Sequence, residues 1–425
     1  MPAGGAADNP RDMLLRRLPS VLLVLFVAVA AFTGCSSRRV AGVPLPPFSA
    51  VVVTPPTDTL VAGDTRQFVA AAFDTNGVVV AGAAFDWSAD DPGVATVSSS
   101  GLVTAVGEGV TRVIAAAGGR SDTAVVAVIV RTGWYAQASA TTHDLAGVCF
   151  LPDGRTGWAV GTTGTIVHTT TAGANWASEV SGTTFDLNDV WFTTAVTGLA
   201  VGQGGTVLRT RNAGAGWTRL GTVPAIENLL GVCFADTAHG WVVGGSGTIL
   251  RTADAGGTWT RLNPTGVQLN SVSFADTSDG WAVGEGGVIV GTHDGGRSWY
   301  VVQPAVTVAS LRAVQRLSAT RAIALGAQGA NPSTAATADS LQWQLGNVGA
   351  ANDMRGLHMV DDLVGYGVGT NGQGIVLKTE NGGASWSPQI SSSIQPLRDV
   401  WFVDGLRGWA VGSAGRIVHT SKGGL

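Results

Sequence analysis

A short hydrophobic phrase recurs seven times along the last two thirds of the chain. Written "L..V.F", it has its central apolar residue at Val148, Val190, Val232, Val272, Val314, Leu357 and Val400. Each unit of about 42 residues continues with three more stretches of strand character, as in "GWAVG", "GVIVGT" and "SWYVV", joined by glycine-rich turns. A period of about 40 residues with four strands per unit is typical of a β-propeller blade. The pattern therefore predicts seven blades.

The same repeat predicts how the ring closes. The fourth strand of each unit begins at a tryptophan, and these residues are Trp176, Trp217, Trp259, Trp299, Trp343 and Trp386. The seventh unit stops at "HTSKGGL" without one, whereas Trp134 lies 42 residues before Trp176. We expect Arg131–Ser139 to supply the missing outer strand of the last blade, which joins the ends of the propeller in one sheet and leaves no open edge there. The propeller is thus predicted over residues 131–425.

The fifth unit departs from the repeat. Its sequence, "VQRLSATRAIALGAQGANPSTAATADSLQW", has no tryptophan after the glycine and contains a stretch rich in proline and alanine. We expect that stretch to form an inserted loop. Drift and modification for a partner both explain a degenerate blade, and the sequence leaves both open.

Residues 48–130 show shorter alternating strands separated by turn signals such as "AGD", "TNG" and "DDPG". This pattern favours a β-sandwich with Trp87 in its core and with Gly101 and Gly109 in turns. Through "TLVAGDTRQF" and "FDWSADDPGVATVSSSGLVTAVGEGVTRVIA" the segment resembles the bacterial Ig-like domains of group 2, which implies a stalk or spacer. The predicted fold class is all-β: an Ig-like β-sandwich followed by a seven-bladed β-propeller.

Residues 1–35 have the pattern of an export signal. Arg16 and Arg17 precede an apolar run from Val21 to Ala31, which is shorter than the about 20 residues needed to cross a bilayer. "FTGC" resembles a lipobox, which implies lipidation of Cys35 and anchoring in the bacterial cell envelope, at the outer membrane or cell surface. The alternative is an ordinary cleaved signal that leaves a free cysteine. Residues 36–47 are predicted to be a spacer.

Charge and cysteine content narrow the function classes. Only 13% of the residues are charged and the formal net charge is −4, which gives no electrostatic basis for nucleic-acid binding. Cys149 and Cys233 take the same place in two "GVCF" phrases, so we expect two buried thiols rather than a disulfide. No metal or other cofactor is expected, because no blade concentrates several oxygen ligands in one loop.

A glycine-rich turn precedes the fourth strand of most units. Its best copies are "TADAGGTW", "THDGGRSW" and "TENGGASW", which match the Asp-box pattern. We expect Asp254, Asp294 and Asn381 to accept backbone N–H groups across their turns, and Trp259, Trp299 and Trp386 to pack into their blades. Because Asn381 stands where a catalytic acid would have to ionise, the turn is predicted to be structural.

Three other positions of the repeat carry charge. In three successive units the second residue of the first strand is an arginine: Arg312, Arg355 and Arg398. These form a candidate patch for carboxylates or backbone carbonyls of a bound protein, and the alternative is plain solvated surface. Acids that end the first strand are expected to cap turns, and they are Asp153, Asp236, Asp276, Asp361 and Asp404. Basic residues on the third strand are expected to lie over a tryptophan or face solvent, and they are His168, Arg209, Arg251, Lys378 and His419.

Through "DVWFVDGLRGWAVGSAGRIVHTS" and "GGASW" the repeats resemble the photosystem II stability and assembly factor family of propellers. That resemblance implies a non-enzymatic protein that binds subunits of membrane complexes through an arginine patch. The lipobox and the Ig-like segment are not part of the plan of the photosynthetic members, so the resemblance transfers the fold better than the partner.

Sialidases also carry Asp-boxes, so a glycoside hydrolase is an alternative to a binding protein. They need an arginine triad and a tyrosine nucleophile with a glutamate partner. The only tyrosines, Tyr135, Tyr300 and Tyr366, each occupy an ordinary repeat position. We therefore predict a monomeric, non-enzymatic scaffold or assembly factor that binds other proteins. The alternatives are a carbohydrate-binding or sialidase-like propeller and a purely architectural surface protein.

Overall fold

A computed structural model describes residues 47–129, 133–221, 223–318, 320–336, 341–349 and 351–424, with the backbone alone for 334–336 and 341. The predicted export signal and Cys35 lie outside these residues, as does nearly all of the predicted spacer. Within the described ranges, no helix combines the length and the apolar character needed to cross a membrane.

Nine strands build the predicted Ig-like sandwich. They are Ala50–Thr54, Thr57–Val61, Thr65–Gln67, Val69–Phe73, Asp86–Ala89, Ala95–Val97, Leu102–Ala105, Gly109–Ala117 and Arg120–Ile129. They form sheets of four, three and two strands around a core that includes Phe68 and Val113. Trp87 packs against this core, and a Cβ at Gly101, whose φ is +82°, would lie 2.8 Å from its ring. A left-handed glycine is therefore needed beside the tryptophan.

Seven four-stranded antiparallel sheets follow, in the order that the repeat predicts. The inner strands are Leu145–Phe150, Leu187–Phe192, Leu229–Phe234, Leu269–Phe274, Leu311–Ser318, Asp353–Met359 and Leu397–Phe402. The second strands are Gly157–Gly161, Gly198–Gly202, Gly240–Gly244, Gly280–Gly284, Arg321–Gly326, Gly365–Thr370 and Gly408–Gly412. The third strands are Ile166–Thr169, Thr206–Thr210, Ile249–Thr252, Ile289–Thr292, Ala330–Ala336, Gly374–Thr379 and Ile417–Thr420. The outer strands are Ala177–Glu179, Thr218–Arg219, Thr260–Leu262, Tyr300–Val301, Leu341–Asn347, Ser387–Pro388 and, for blade 7, Tyr135–Gln137.

Within the part of the chain that the structure describes, short 3₁₀ turns join the second and third strands of each blade except blade 6. They are Thr162–Gly164, Gln203–Gly205, Gly245–Gly247, Glu285–Gly287, Ala327–Gly329 and Ser413–Gly415. Their last residue is a glycine with positive φ, and a Cβ at Gly164 would lie 2.0 Å from the Thr183 carbonyl oxygen of the loop to the next blade. The turn glycines of the repeat are thus required by close backbone approach.

Aromatic stacking joins neighbouring blades. The phenylalanine that ends an inner strand stacks on the aromatic residue of the preceding blade's second strand. The pairs Phe192–Trp158 and Phe274–Trp241 have ring centroids 3.4 Å apart. A Cβ at Gly157 would lie 2.5 Å from the ring of Phe150, which explains the glycine that precedes the aromatic in the repeat. Each such pair contributes about 0.5–1.5 kcal/mol beyond its buried area.

The ring closes as predicted. Tyr135–Gln137 pairs antiparallel with Ile417–Thr420, with Tyr135 opposite His419. Trp134 is buried and meets Phe402 edge-on at 5.5 Å. The N-terminal segment therefore completes the last blade, and this expectation is confirmed.

The proline- and alanine-rich stretch of the fifth unit is not a loop, so that expectation was wrong. Ala330–Ala336 is the third strand of blade 5 and pairs with Leu341–Asn347 along its whole length. Only Ile323 and Ser333 are in register between the second and third strands. Because proline has no N–H to donate, Pro332 weakens the pairing on that side, and the hairpin with the outer strand carries the stretch instead.

Neighbouring inner strands are also tied together at their third residue. The Asp189 carboxylate accepts the Val232 N–H of the next blade at 2.8 Å, and the Asp399 carboxylate accepts the Val148 N–H at 2.9 Å. The Ser271 hydroxyl accepts the Val314 N–H at 3.2 Å. Three interfaces of the ring therefore carry a side-chain cap on a backbone N–H.

The interfaces between capped ones carry glycine at the same position. A Cβ at Gly147, Gly231 or Gly356 would lie 2.8, 3.2 or 2.7 Å from the Cα of the capping residue on the next strand. Blades 5 and 6 are joined differently, because Gln315 accepts the Met359 N–H at 2.6 Å and donates to the Met359 carbonyl at 3.1 Å. Capped and glycine interfaces thus alternate around the ring, with one exception.

Candidate functional site

The ring has two ends with different chemistry. We call the loop face the end where the interblade loops meet the 3₁₀ turns, as where Asp186 accepts the Thr163 N–H at 2.8 Å. The turn face is the other end, where Asp-box turns bond to the turn between the first two strands. The Ala255 N–H, for example, donates to the Ala238 carbonyl at 3.0 Å.

The Asp-box side chains lie within their own turns on the turn face. Asp294 accepts the N–H groups of Arg297 and Ser298, both at 2.9 Å, and the Ser298 hydroxyl at 2.6 Å. Asn381 accepts the Ser385 N–H at 2.8 Å and donates its amide to the Ser385 hydroxyl at 2.7 Å. An amide therefore accepts the same serine N–H as the carboxylate does, while the hydrogen bond with the serine hydroxyl runs in the opposite direction.

Electrostatics argue against proton transfer at these turns. Hydrogen bonds from Thr258 lower the pKa of Asp254 to about 2, and those from Ser298 lower the pKa of Asp294 in the same way. A carboxylate that stays ionised near neutral pH is a poor general acid. The tryptophans pack inward: Trp299 meets Phe274 edge-on at 5.8 Å, and Trp259 and Trp386 pack against their blade cores.

The acids that end the inner strands cap the following turn. Asp236 accepts the N–H groups of Ala238 and His239 at 2.7 and 2.6 Å. These bonds lower the pKa of Asp236 to about 2. The same two bonds occur at Asp153, Asp276, Asp361 and Asp404.

Three of the five basic third-strand residues, His168, Lys378 and His419, lie over the second-strand aromatic of their blade, whereas Arg251 donates to the Gly295 carbonyl and Arg209 is opposite Leu199. His168 stacks on Trp158 with centroids 4.8 Å apart, and His419 stacks on Trp409 at 4.6 Å. Burial lowers the pKa of His419 to about 4, so its ring is neutral at neutral pH. No group of three or more His, Cys, Asp or Glu side chains suited to a metal ion occurs among the described residues.

The three candidate arginines lie together on the loop face, on the inner strands of blades 5, 6 and 7. Arg312 and Arg355 share one carboxylate, that of Asp353, at 3.0 and 3.1 Å. Arg398 pairs with Asp144 of blade 1 at 2.5 Å. The arginine side chains are 36%, 32% and 32% exposed, so each keeps a surface toward solvent.

Part of their role is to join blades. Arg312 and Arg398 each bond to an acid on the next blade, and Asn188 and Asn270, at the same repeat position, donate to the next blade's Leu229 and Leu311 carbonyls at 2.7 Å. Sequence reasoning missed the acidic partners. Asp144 and Asp353 both stand immediately before the leading apolar residue of their strands, a shared position that could have indicated them.

The interblade loops expose large aliphatic side chains. Val180, Ile226, Val308 and Ile390 are 82–87% exposed on the loop face. On the turn face, Val196, Leu363 and Leu406 are 50–57% exposed. The sequence signal was an isolated aliphatic residue in a polar loop, as in "PAIEN" and "PQISSS".

The tyrosines do not form a sialidase-like centre. Tyr366 is buried, and its hydroxyl donates to the Gly423 carbonyl at 2.9 Å. Tyr300 and Tyr135 lie on outer strands of blades 4 and 7.

These features define a seven-bladed Asp-box propeller preceded by an Ig-like sandwich. Comparison with protein families gives two matches along the chain. Residues 219–307 match the family described as "Photosynthesis system II assembly factor YCF48", and residues 47–128 match "Bacterial Ig-like domain (group 2)". Each match covers less than half of the chain, and no curated protein matches it.

Solved structures with the same fold include two YCF48 proteins. YCF48 bound to D1 peptide superposes with a TM-score of 0.58 at 18% identity, covering 69% of this chain and 96% of that one. YCF48 from Cyanidioschyzon merolae gives a TM-score of 0.56 at 19% identity, covering 68% and 98%. The structure of U3-55K, at 7% identity, gives 0.53 and covers 68% and 98%. The propeller fold is thus shared with proteins of very different sequence.

Proposed function

We propose that this protein is a scaffold or assembly factor of the bacterial cell envelope that docks another protein on its loop face. The observation that carries this proposal is the set of exposed aliphatic side chains on that face, which also carries three arginines on neighbouring inner strands. Exposed apolar surface with arginine among it is characteristic of protein interfaces. The fold shared with YCF48, which was solved with a D1 peptide bound, supports protein as the ligand class.

The test compares the two ends of the ring. The triple variant V180D/I226D/V308D places charge on the loop face, and V196D/L363D/L406D does the same on the turn face. Crosslinking in native membranes followed by mass spectrometry should recover the same partners from wild type and from the turn-face variant. We expect the loop-face variant to lose them by about tenfold or more, since hot-spot contacts are concentrated. Equal recovery from both variants would remove the loop face as the docking site.

The arginines need a separate control, because their substitution also breaks ion pairs between blades. Asp353→Asn removes the partner of Arg312 and Arg355 but leaves both cations in place. If the arginines bind the partner, R312A/R355A/R398A weakens recovery and D353N does not. If the two variants lose recovery alike, the arginines act only through blade packing.

Export and lipidation at Cys35 belong to the same proposal. The lipobox-like "FTGC" and the Ig-like segment beyond it fit a propeller held away from a membrane. Metabolic labelling with a fatty-acid analogue should mark the wild type and not Cys35→Ala, which should also leave the membrane fraction. A labelled Cys35→Ala protein would refute the assignment.

We also propose that the protein acts by binding and not by catalysis, since its acids are engaged in turns and caps. Sialoside turnover by the purified protein would contradict this.

A further inference from the structure

The inner strands enclose a cavity of about 210 Å³ along the ring axis, beneath the loop face. The polar and aromatic side chains that matter for its chemistry are Asp189, Trp191, Arg316, His358, Asp399 and Trp401.

The lining changes with depth. Asp189 and Asp399 are the third residues of their strands, and Trp191 and Trp401 are the fifth, so the indoles lie about 7 Å deeper from the loop face. Arg316, at the sixth position of its strand, is about 10 Å deeper than the carboxylates. Its guanidinium points to Asp279, whose carboxylate is 3.8 Å away. The cavity is therefore acidic toward the loop face and aromatic below.

The two carboxylates interact electrostatically, and neither forms an ion pair with a cation among the described residues. Each accepts two backbone N–H groups, those of Val190 and Val232 at Asp189 and those of Val400 and Val148 at Asp399. Only the inner strand of blade 1 separates them. Burial raises the pKa of both groups, that of Asp399 to about 6, and the Asp399 charge adds to the effect at Asp189. Ionising both therefore costs free energy that a bound cation would offset.

The deeper part of the cavity is lined by two indole rings and by the imidazole of His358. The indoles of Trp191 and Trp401 meet edge-on at 5.4 Å, and His358 lies 5.2 Å from Trp401. The His358 nitrogens make no hydrogen bond to any described residue. Burial lowers the pKa of His358 to about 4, so the ring is neutral and offers one donor and one acceptor to the cavity. The ring is half-buried and lines the cavity, so both nitrogens are open to a ligand there.

We infer that this cavity binds an organic cation through an ammonium or guanidinium head group. Carboxylates bind such groups by charge-assisted hydrogen bonds, and indole faces attract them by cation–π interaction. The volume suits a head group with a short alkyl stem. The cation is either a free small molecule or a basic side chain of a protein docked on the loop face, and only the second source rests on the proposed function.

Calorimetric titration of the chain without the predicted signal, residues 1–35, tests the site. The ligands are n-butylammonium and methylguanidinium, and 1-butanol is the neutral control. We expect saturable binding of the cations at millimolar concentrations and none of the alcohol. D189N/D399N should weaken binding by about tenfold or more, whereas Asp153→Asn on the turn face should leave it unchanged. Absence of saturable binding to the wild type, or equal binding by D189N/D399N, would overturn the inference.

A pH series on the wild type covers the case in which the double variant does not fold. Cation affinity should fall as pH drops from 7 to 5, because Asp399, with a pKa of about 6, takes up a proton in this range. Besides Asp189 and Asp399, the titratable or charged groups lining the cavity are His358, Cys233 and Arg316. The pKa of His358 lies near 4 and burial raises that of the Cys233 thiol, so neither accounts for a change in this range. A flat profile would contradict the carboxylate site.

The loop-face variant V180D/I226D/V308D separates the two sources. A free cation binds this variant as it binds the wild type, even if the docking proposal fails. If the cation is a partner's side chain, lysine- or arginine-containing partner peptides lose binding to both V180D/I226D/V308D and D189N/D399N. If D189N/D399N recovers the partner as well as the wild type does, the cavity binds free cations alone.

Discussion

Trp134 meets Phe402 edge-on at 5.5 Å, and this contact repeats the one that Trp176 makes with Phe150 at 5.8 Å within blade 1. The first residues of the propeller are thus packed in its last blade as if they followed it in sequence. Closure depends on one buried indole as well as on three pairs of strand residues.

Removal of that indole should destabilise the whole ring. We expect Trp134→Ala to lower the free energy of unfolding by about 3–5 kcal/mol, because a large buried aromatic side chain is deleted. Urea denaturation followed by circular dichroism measures this. Val180→Ala, at an exposed loop position, should change stability by less than about 0.5 kcal/mol. If the two variants unfold alike, the closing contact has no special role in stability.

The Asp-box turns should tolerate an amide but not a methyl group. Asp294→Asn keeps an acceptor for the Ser298 N–H, as Asn381 does for Ser385, whereas Asp294→Ala leaves the turn N–H groups without an acceptor. We expect the melting temperature to fall clearly in Asp294→Ala and much less in Asp294→Asn. An equal fall of the melting temperature in both variants would show that the charge of Asp294, and not its ability to accept hydrogen bonds, stabilises this turn.

His419 should make stability depend on pH. Its folded pKa of about 4 lies below the ordinary value of 6.5, so its contribution is fully present above pH 6.5 and is lost as pH falls toward 4. His419→Phe keeps a ring on Trp409 without titration. The stability difference between wild type and variant should therefore shrink on acidification, by up to about 1.4 kcal/mol per pH unit. His358 and Asp399 titrate in both proteins and cancel in the comparison.

The two thiols should resist modification until the protein unfolds. Cys149 and Cys233 are free and buried, and burial raises the pKa of Cys149 to about 12. Since the thiolate is the reactive form, we expect negligible labelling by a thiol reagent in buffer and two labels per chain in denaturant, with Cys35→Ala as the background. Rapid native labelling of either thiol would show that its blade opens.

Much of the fold could be predicted from the sequence, because the same pattern of strands and turns recurs in each of the seven units. The spacing of Trp134 from Trp176 was enough to predict closure. Pro332 misled the prediction because proline disfavours a strand locally, while the outer hairpin of blade 5 stabilises one. The export signal and the lipid anchor at Cys35 stay predictions.

The candidate site was less accessible to sequence reasoning. Equivalent repeat positions indicated that Arg312, Arg355 and Arg398 share one face, but their pairing with Asp353 and Asp144 depends on which blades become neighbours and on how the side chains are oriented. The cavity carboxylates Asp189 and Asp399 are far apart in sequence and line one cavity only because the ring closes. Such contacts between units follow from the closed ring and not from any single repeat.

Capped and glycine interfaces alternate between inner strands, and an alternating pattern cannot close on itself in a ring of seven. One junction must break the parity, and it is the junction where Gln315 holds both backbone groups of Met359. That mismatch lies beside the irregular fifth blade, so the geometric defect and the sequence defect coincide. A ring with an even number of such blades could alternate without a junction of this kind.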